Sequence, residues 1–105
     1  MNFYKLSAWL CLKHAPELGI KSTLELLNSY PDPCEFVGNP HHQLFQSGLI
    51  KPKTAEHLAQ ATLPKDLPRM QKLCEAHCIE ALFLTDPDYP SALKSIEEPP
   101  LILYY

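Results

Sequence analysis

The stretch Asp86-Pro87-Asp88-Tyr89-Pro90 lies between two apolar runs, Glu80-Ala81-Leu82-Phe83-Leu84-Thr85 and Leu101-Ile102-Leu103-Tyr104-Tyr105, and its reading decides the fold. Each run is short, apolar and bounded by turn residues, as a buried strand is. Asp and Pro between them make a turn, residues 90–96 suit one or two helical turns, and Glu98-Pro99-Pro100 breaks the chain again. The order strand, helix, strand suggests a right-handed crossover and hence two parallel strands. Parallel strands need cover on both faces, which two strands cannot supply for themselves. Residues 80–105 are therefore expected to open an α/β domain that continues past Tyr105.

Upstream of this stretch the hydrophobic period is helical. Residues 3–14 carry Phe3, Tyr4, Leu6, Trp9, Leu10 and Leu12, apolar nearly all round, which predicts a helix buried on several sides and stopped by Pro16. After Pro16-Glu17-Leu18-Gly19, the spacing of Ile20, Leu24 and Leu27 predicts an amphipathic helix over 20–30. Asn39 as cap and Pro40 at the first position predict a short helix over 40–47, closed by Gly48. Pro52 opens the next, with Ala55, Leu58, Ala59 and Thr62 on one stripe and Glu56, His57 and Gln60 on the other. A last helix over 65–78 sets Leu67, Met70, Leu73, Cys74 and His77 on one face, and Pro68 confines its regular part to the second half unless it sits in the first turn. The expected architecture is mainly α: a compact multi-helix domain over 1–79, then a strand-helix-strand start of an α/β domain over 80–105.

A length of 105 residues leaves room for one small globular unit and a fragment of a second, which excludes a large multidomain enzyme. Nine Lys and Arg stand against twelve Asp and Glu, so net charge alone would not hold a nucleic acid. The acid is concentrated late: Glu80, Asp86, Asp88, Glu97 and Glu98 face only Lys94 after residue 79. No apolar run reaches the ~18–20 residues of a membrane span, and the N-terminus lacks the pattern of a signal peptide. A cytoplasmic chain without membrane contact is expected. Cys11, Cys34, Cys74 and Cys78 are then reduced thiols, with Cys11 and Cys74 small core residues.

The pattern Asp86-Pro87-x-Tyr89-Pro90-x-x-Leu93-x-x-Ile96-x-x-Pro99-Pro100-x-x-Leu103-Tyr104 resembles the DprA/Smf family of bacterial DNA-processing proteins. In that family an apolar strand leads into a D-P-x-Y-P turn, then L-x-x-I, a proline pair and a strand ending L-Y. The resemblance extends upstream more weakly, because such proteins begin with small helices of the helix-hairpin-helix or sterile-alpha-motif (SAM) kind. It implies a cytoplasmic protein, not an enzyme, that binds single-stranded DNA and assists the RecA recombinase in natural transformation, or competence, and in DNA recombination. It further implies that residues 80–105 begin a Rossmann-like domain whose phosphate-holding loop lies beyond Tyr105. The motif residues named above are then structural, and residues 1–79 form an accessory interaction domain.

Several other patterns bear on chemistry. Ala15-Pro16-Glu17-Leu18-Gly19-Ile20 has the outline of a helix-hairpin-helix turn, which holds phosphate through backbone N–H groups at a helix N-terminus. Glu17 replaces its first glycine, and a carboxylate repels phosphate, so a structural turn is the better reading. In Ser47-Gly48-Leu49-Ile50-Lys51-Pro52-Lys53-Thr54, two lysines stand beside a helix N-terminus, against its dipole. They point to an anion partner or to a solvated loop. Lys13 and Lys21 flank the first turn, so Lys13, Lys21, Lys51 and Lys53 are the candidate DNA contacts. Cys74-x-x-x-Cys78 with His77, and His41-His42, offer zinc ligands but no second clustered pair, so neither metal nor cofactor is expected. Asp86, Asp88, Glu97 and Glu98 adjoin turns where acids are favoured on backbone grounds, and no catalytic residue is assigned. The rival reading is a structural or oligomerising helical domain with no nucleic-acid role, self-associating through residues 101–105.

Overall fold

The computed structural model describes residues 3–61 and 67–105. Its elements are α1 (Phe3–Lys13), α2 (Ile20–Ser29), 3-10 turns at Pro33–Glu35 and Gln43–Gln46, α3 (Pro52–Ala59), α4 (Leu67–Ala76), β1 (Ala81–Phe83), α5 (Ser91–Lys94) and β2 (Ile102–Tyr104). The described residues are mainly helical, with one two-stranded sheet among them. Among the described residues no helix is long and apolar enough to cross a membrane.

The apolar first helix is buried from its second turn onward, while Phe3 is partly covered and Tyr4 exposed. Leu6, Ala8, Trp9, Leu10, Cys11 and Leu12 are buried, and all but Ala8 enter a cluster with Leu26 and Leu27 of α2, Phe36, Leu44, Leu58 of α3, and Phe83, Leu84, Tyr89 and Ile102. One core thus draws on residues either side of position 79. Trp9 stacks on Phe83 with ring centroids 5.3 Å apart.

The strands pair antiparallel, with Ala81 opposite Tyr104, Leu82 opposite Leu103 and Phe83 opposite Ile102, which corrects the expected parallel crossover. The reason is the connection. Its helix, Ser91–Lys94, is a single turn, too short to lift the chain over the sheet and return it beside the start of β1. Instead the chain folds back on itself, and the Leu84 N–H donates to the Leu101 carbonyl (3.0 Å) directly after β1. The ladder extends the other way through reciprocal Glu80–Tyr105 bonds of 2.7 and 2.9 Å.

Other expectations shift by a turn. The helix expected over 40–47 is a 3-10 turn, Gln43–Gln46, because Asn39 is used backwards: its amide donates to the Glu35 carbonyl (3.4 Å). His42 caps instead, its Nδ1 accepting from the Leu44 N–H at 3.0 Å, and its ring meets Tyr30 and Phe36 edge-on. Gly48 takes φ 76° where that turn ends, a left-handed conformation that costs glycine least. In α2 the buried face is Thr23, Leu26 and Leu27, with Ile20 and Leu24 partly covered. In α3 it is Thr54 and Leu58, while Ala55 and Ala59 are partly covered and Thr62 lies outside the described residues. Of the two alternatives for Pro68, the structure takes the first turn of α4, and residues 65 and 66 lie outside the described residues. That helix buries only Cys74, leaving Leu73 half exposed and His77 beyond its end.

Helices α1 and α3 are joined by a reciprocal pair. His57 Nε2 lies 3.0 Å from the Cys11 carbonyl, and the Cys11 thiol points at the His57 carbonyl, 3.8 Å away. Burial pushes the Cys11 thiol up to about 11 from 9.0. A raised acid means that the folded chain holds a proton the unfolded chain releases, so stability falls as pH rises from 9 towards 11. The expected loss is about 1.4 kcal/mol per pH unit at most, read from urea unfolding. Cys11→Ala should flatten the slope between pH 9 and 10, and an unchanged slope would show that Cys11 does not carry it.

Candidate functional site

The D-P-x-Y-P turn is held by its own polar groups. Asp86 Oδ2 accepts from the Phe83 N–H (2.8 Å), while the Asp86 N–H donates to the Phe83 carbonyl (2.8 Å). Lys5 Nζ, arriving from α1, reaches Asp86 Oδ1 at 2.6 Å and lies 5.1 Å from the centre of the Phe83 ring. Tyr89 is buried, and its hydroxyl donates to the Pro100 carbonyl at 2.7 Å. Burial pushes its phenol up. The turn after β1 is thereby fastened to the residue pair that precedes β2.

Other members of the motif act by shape. Pro99 is buried and Leu93 partly so, whereas Pro87, Pro90 and Pro100 are exposed and restrict the backbone. Ile96 is 47% exposed and packs little. Leu103 is partly buried, and the exposed Tyr104 directs its hydroxyl at Met70 Sδ, 3.8 Å away. Asp86 is consumed by this bonding, and Asp88, Glu97 and Glu98 are exposed on turns. An open groove of about 460 Å³ beside the turn is lined by Lys5, Asp32, Cys34 and Asp86 among others. Burial, then Asp32, push the Cys34 thiol up, which keeps it protonated rather than nucleophilic.

The four lysines lie around a second junction. Thr54 is wholly buried and donates to the Pro16 carbonyl at 2.6 Å, binding the N-terminal turn of α3 to the turn between α1 and α2. Lys51 is the α3 N-cap and makes no side-chain cap bond; Lys53 follows Pro52, and both are exposed. Lys13 closes α1, also exposed, and lines a shallow groove with Thr23, Pro99 and Pro100. Lys21 is exposed in the first turn of α2. Glu17 stands exposed in the turn between α1 and α2 at φ 59°, a left-handed conformation that favours glycine. The turns the lysines flank are therefore held together, and Glu17 stands in the first of them.

Neither Thr54, in the first turn of α3, nor His57, on the stripe opposite Leu58, is marked by its residue type as a junction residue. The spacing Thr54 to Leu58 was the available signal, because i and i+4 share a helix face. His41 is exposed, His42 is spent as a cap, and Cys78 sits past the end of α4 at φ 54°. Among the described residues no group of three or more His, Cys, Asp or Glu side chains is placed to hold a metal ion. Comparison with family models, with curated proteins and with solved structures returns no match to this chain.

Tyr89→Phe removes the hydroxyl and leaves the exposed Pro100 to bond water, so it should cost about 1 kcal/mol in urea unfolding. Stability equal to or above the parent would mean that the bond does not fasten the turn.

Proposed function

We propose that the chain is the N-terminal part of a DprA-like DNA-processing protein, which binds single-stranded DNA and assists RecA in natural transformation and recombination. Residues 1–79 act as an accessory interaction domain, and the β1–β2 hairpin stands at the start of the Rossmann-like domain. The observation that carries this reading is the D-P-x-Y-P pattern together with the bonding of its polar members. Asp86 and Tyr89 are spent on closing a turn, the role a structural motif requires and one that needs no catalysis.

In this reading Lys51 and Lys53 contact phosphate at the N-terminus of α3, where backbone N–H groups and the helix dipole add to their charge. Glu17 keeps the contact weak. A labelled single strand of ~20 nucleotides, titrated with the full chain at about 50 and 200 mM salt, should show anisotropy that falls steeply with salt. Lys51→Glu/Lys53→Glu should weaken binding about tenfold and flatten the log-log salt slope by about 1.4, two phosphate contacts at roughly 0.7 each. No binding at the lower salt would leave the helices as a protein-docking module.

One observation favours self-association as a second reading. The register turns the main-chain groups of Ala81, Phe83, Ile102 and Tyr104 away from the hairpin. Asp86 takes both groups of Phe83, which blocks the outer edge of β1. Those of Ile102 and Tyr104 have no partner among the described residues, and residues 101–105 carry neither charge nor proline to guard the edge. Antiparallel pairing with a second copy sets Leu103 against Leu103 and continues the Leu82–Leu103 row across both hairpins. Tyr104→Pro removes one outward N–H and no ladder bond. The parent should therefore gain mass with concentration in sedimentation equilibrium while the variant stays monomeric. A parent monomeric at on the order of 1 mM would sink the reading.

A further inference from the structure

Cys74 and Cys78 line one cavity of about 210 Å³ at the end of α4, together with Phe3, Glu75, Ile79 and Glu80. The chain there reverses sharply. Cys78 adopts φ 54°, and the Ile79 N–H returns to the Cys74 carbonyl at 2.9 Å, the six-to-one bond of a Schellman cap. Glycine is the ordinary residue at that left-handed position, because a side chain costs roughly 1–2 kcal/mol there. A thiol holds it instead. The return bond leaves the two Cα atoms separated only by a hydrogen bond and four covalent bonds, which suits the ~4.4–6.8 Å that a disulfide spans. Cys78 is exposed and Cys74 buried, whereas Cys11 is buried in the main core and Cys34 is partly covered.

We propose that Cys74 and Cys78 are a peroxide-responsive dithiol, in which Cys78 is oxidised first and Cys74 resolves it to a disulfide. The Cys78 thiolate attacks one peroxide oxygen, the O–O bond breaks, and the alkoxide or hydroxide that leaves takes up a proton. Cys78 is then a sulfenic acid. The Cys74 thiolate attacks its sulfur, the S–S bond forms as the S–O bond breaks, and the departing hydroxide recovers the Cys74 proton as water. Two thiols and one peroxide thus give one disulfide, one alcohol or water, and one water. Exposure selects Cys78 as the attacking thiol, and the shared cavity wall supplies Cys74 as its resolving partner. The bond formed would staple the end of α4 at the residues that lead into β1. This inference is independent of DNA binding, and Lys51→Glu/Lys53→Glu should oxidise as the parent does.

The full chain treated with hydrogen peroxide near one equivalent should lose about 2 Da, and alkylation should then find Cys11 and Cys34 alone free. Cys74→Ser should instead accumulate a sulfenic acid at Cys78 that a dimedone reagent traps. Cys78→Ser should slow peroxide consumption at least tenfold. Both serine variants are near-isosteric, and an unchanged circular dichroism spectrum verifies their fold. Oxidation of Cys78 with Cys74 still alkylatable, a disulfide between two chains, or earlier reaction at Cys34 would each overturn the proposal.

Discussion

The packing of Trp9 against Phe83 is the contact on which the rest of the structure depends. Trp9 is wholly buried in α1, and Phe83 ends β1, so the stack ties the first helix to a hairpin some seventy residues later in the chain. Apolar burial at roughly 25 cal/mol per Å² makes two aromatic side chains a large share of what so small a core supplies. The indole N–H finds no acceptor among the described residues, so packing alone holds the ring there. Lys5, one turn earlier on α1, reinforces the stack at its edge through Asp86 and the Phe83 ring.

That anchor explains how a short hairpin persists. Two strands of three residues are marginal in water, and they stand because one face rests on α1 while the turn is closed from within. Asp86 closes the β1 side and Tyr89 the β2 side, so the 84–101 connection is pinned at both ends. Junctions of the same economy hold the helices, with Thr54 on Pro16 and His57 against Cys11 each fixing α3 to the end of α1. The lysine-bearing turns occupy their places because of the first of these bonds, and any anion site there inherits its geometry.

Much of this was legible in the residues. The apolar circumference of α1, the amphipathic character of α2 and α3, the stop at Pro16 and the closing Gly48 follow from period and backbone preference. In the D-P-x-Y-P turn, Asp86 and Tyr89 spend polar groups on Phe83 and Pro100. What could not be read were the uses of polar side chains with distant partners. Asn39 looked like a forward cap and bonds backwards to Glu35, leaving the cap to His42. Thr54 and His57 looked like surface residues, and their acceptors lie 38 and 46 residues away.

By itself the sequence determined the places of α1, α2 and α3, which helix must be central, and where two apolar strands interrupt the helical period. These depend on local sterics and on the spacing of apolar groups, which act within a few residues. The tertiary structure decided the direction of strand pairing, the face that α2 and α3 present to the core, and the meeting of the two lysine-flanked turns. Each depends on contacts between segments far apart in the chain. A turn of proline and aspartate permits either a crossover or a return, and it returns here because the single helical turn Ser91–Lys94 is too short to cross the sheet, with Tyr89 fastened to Pro100.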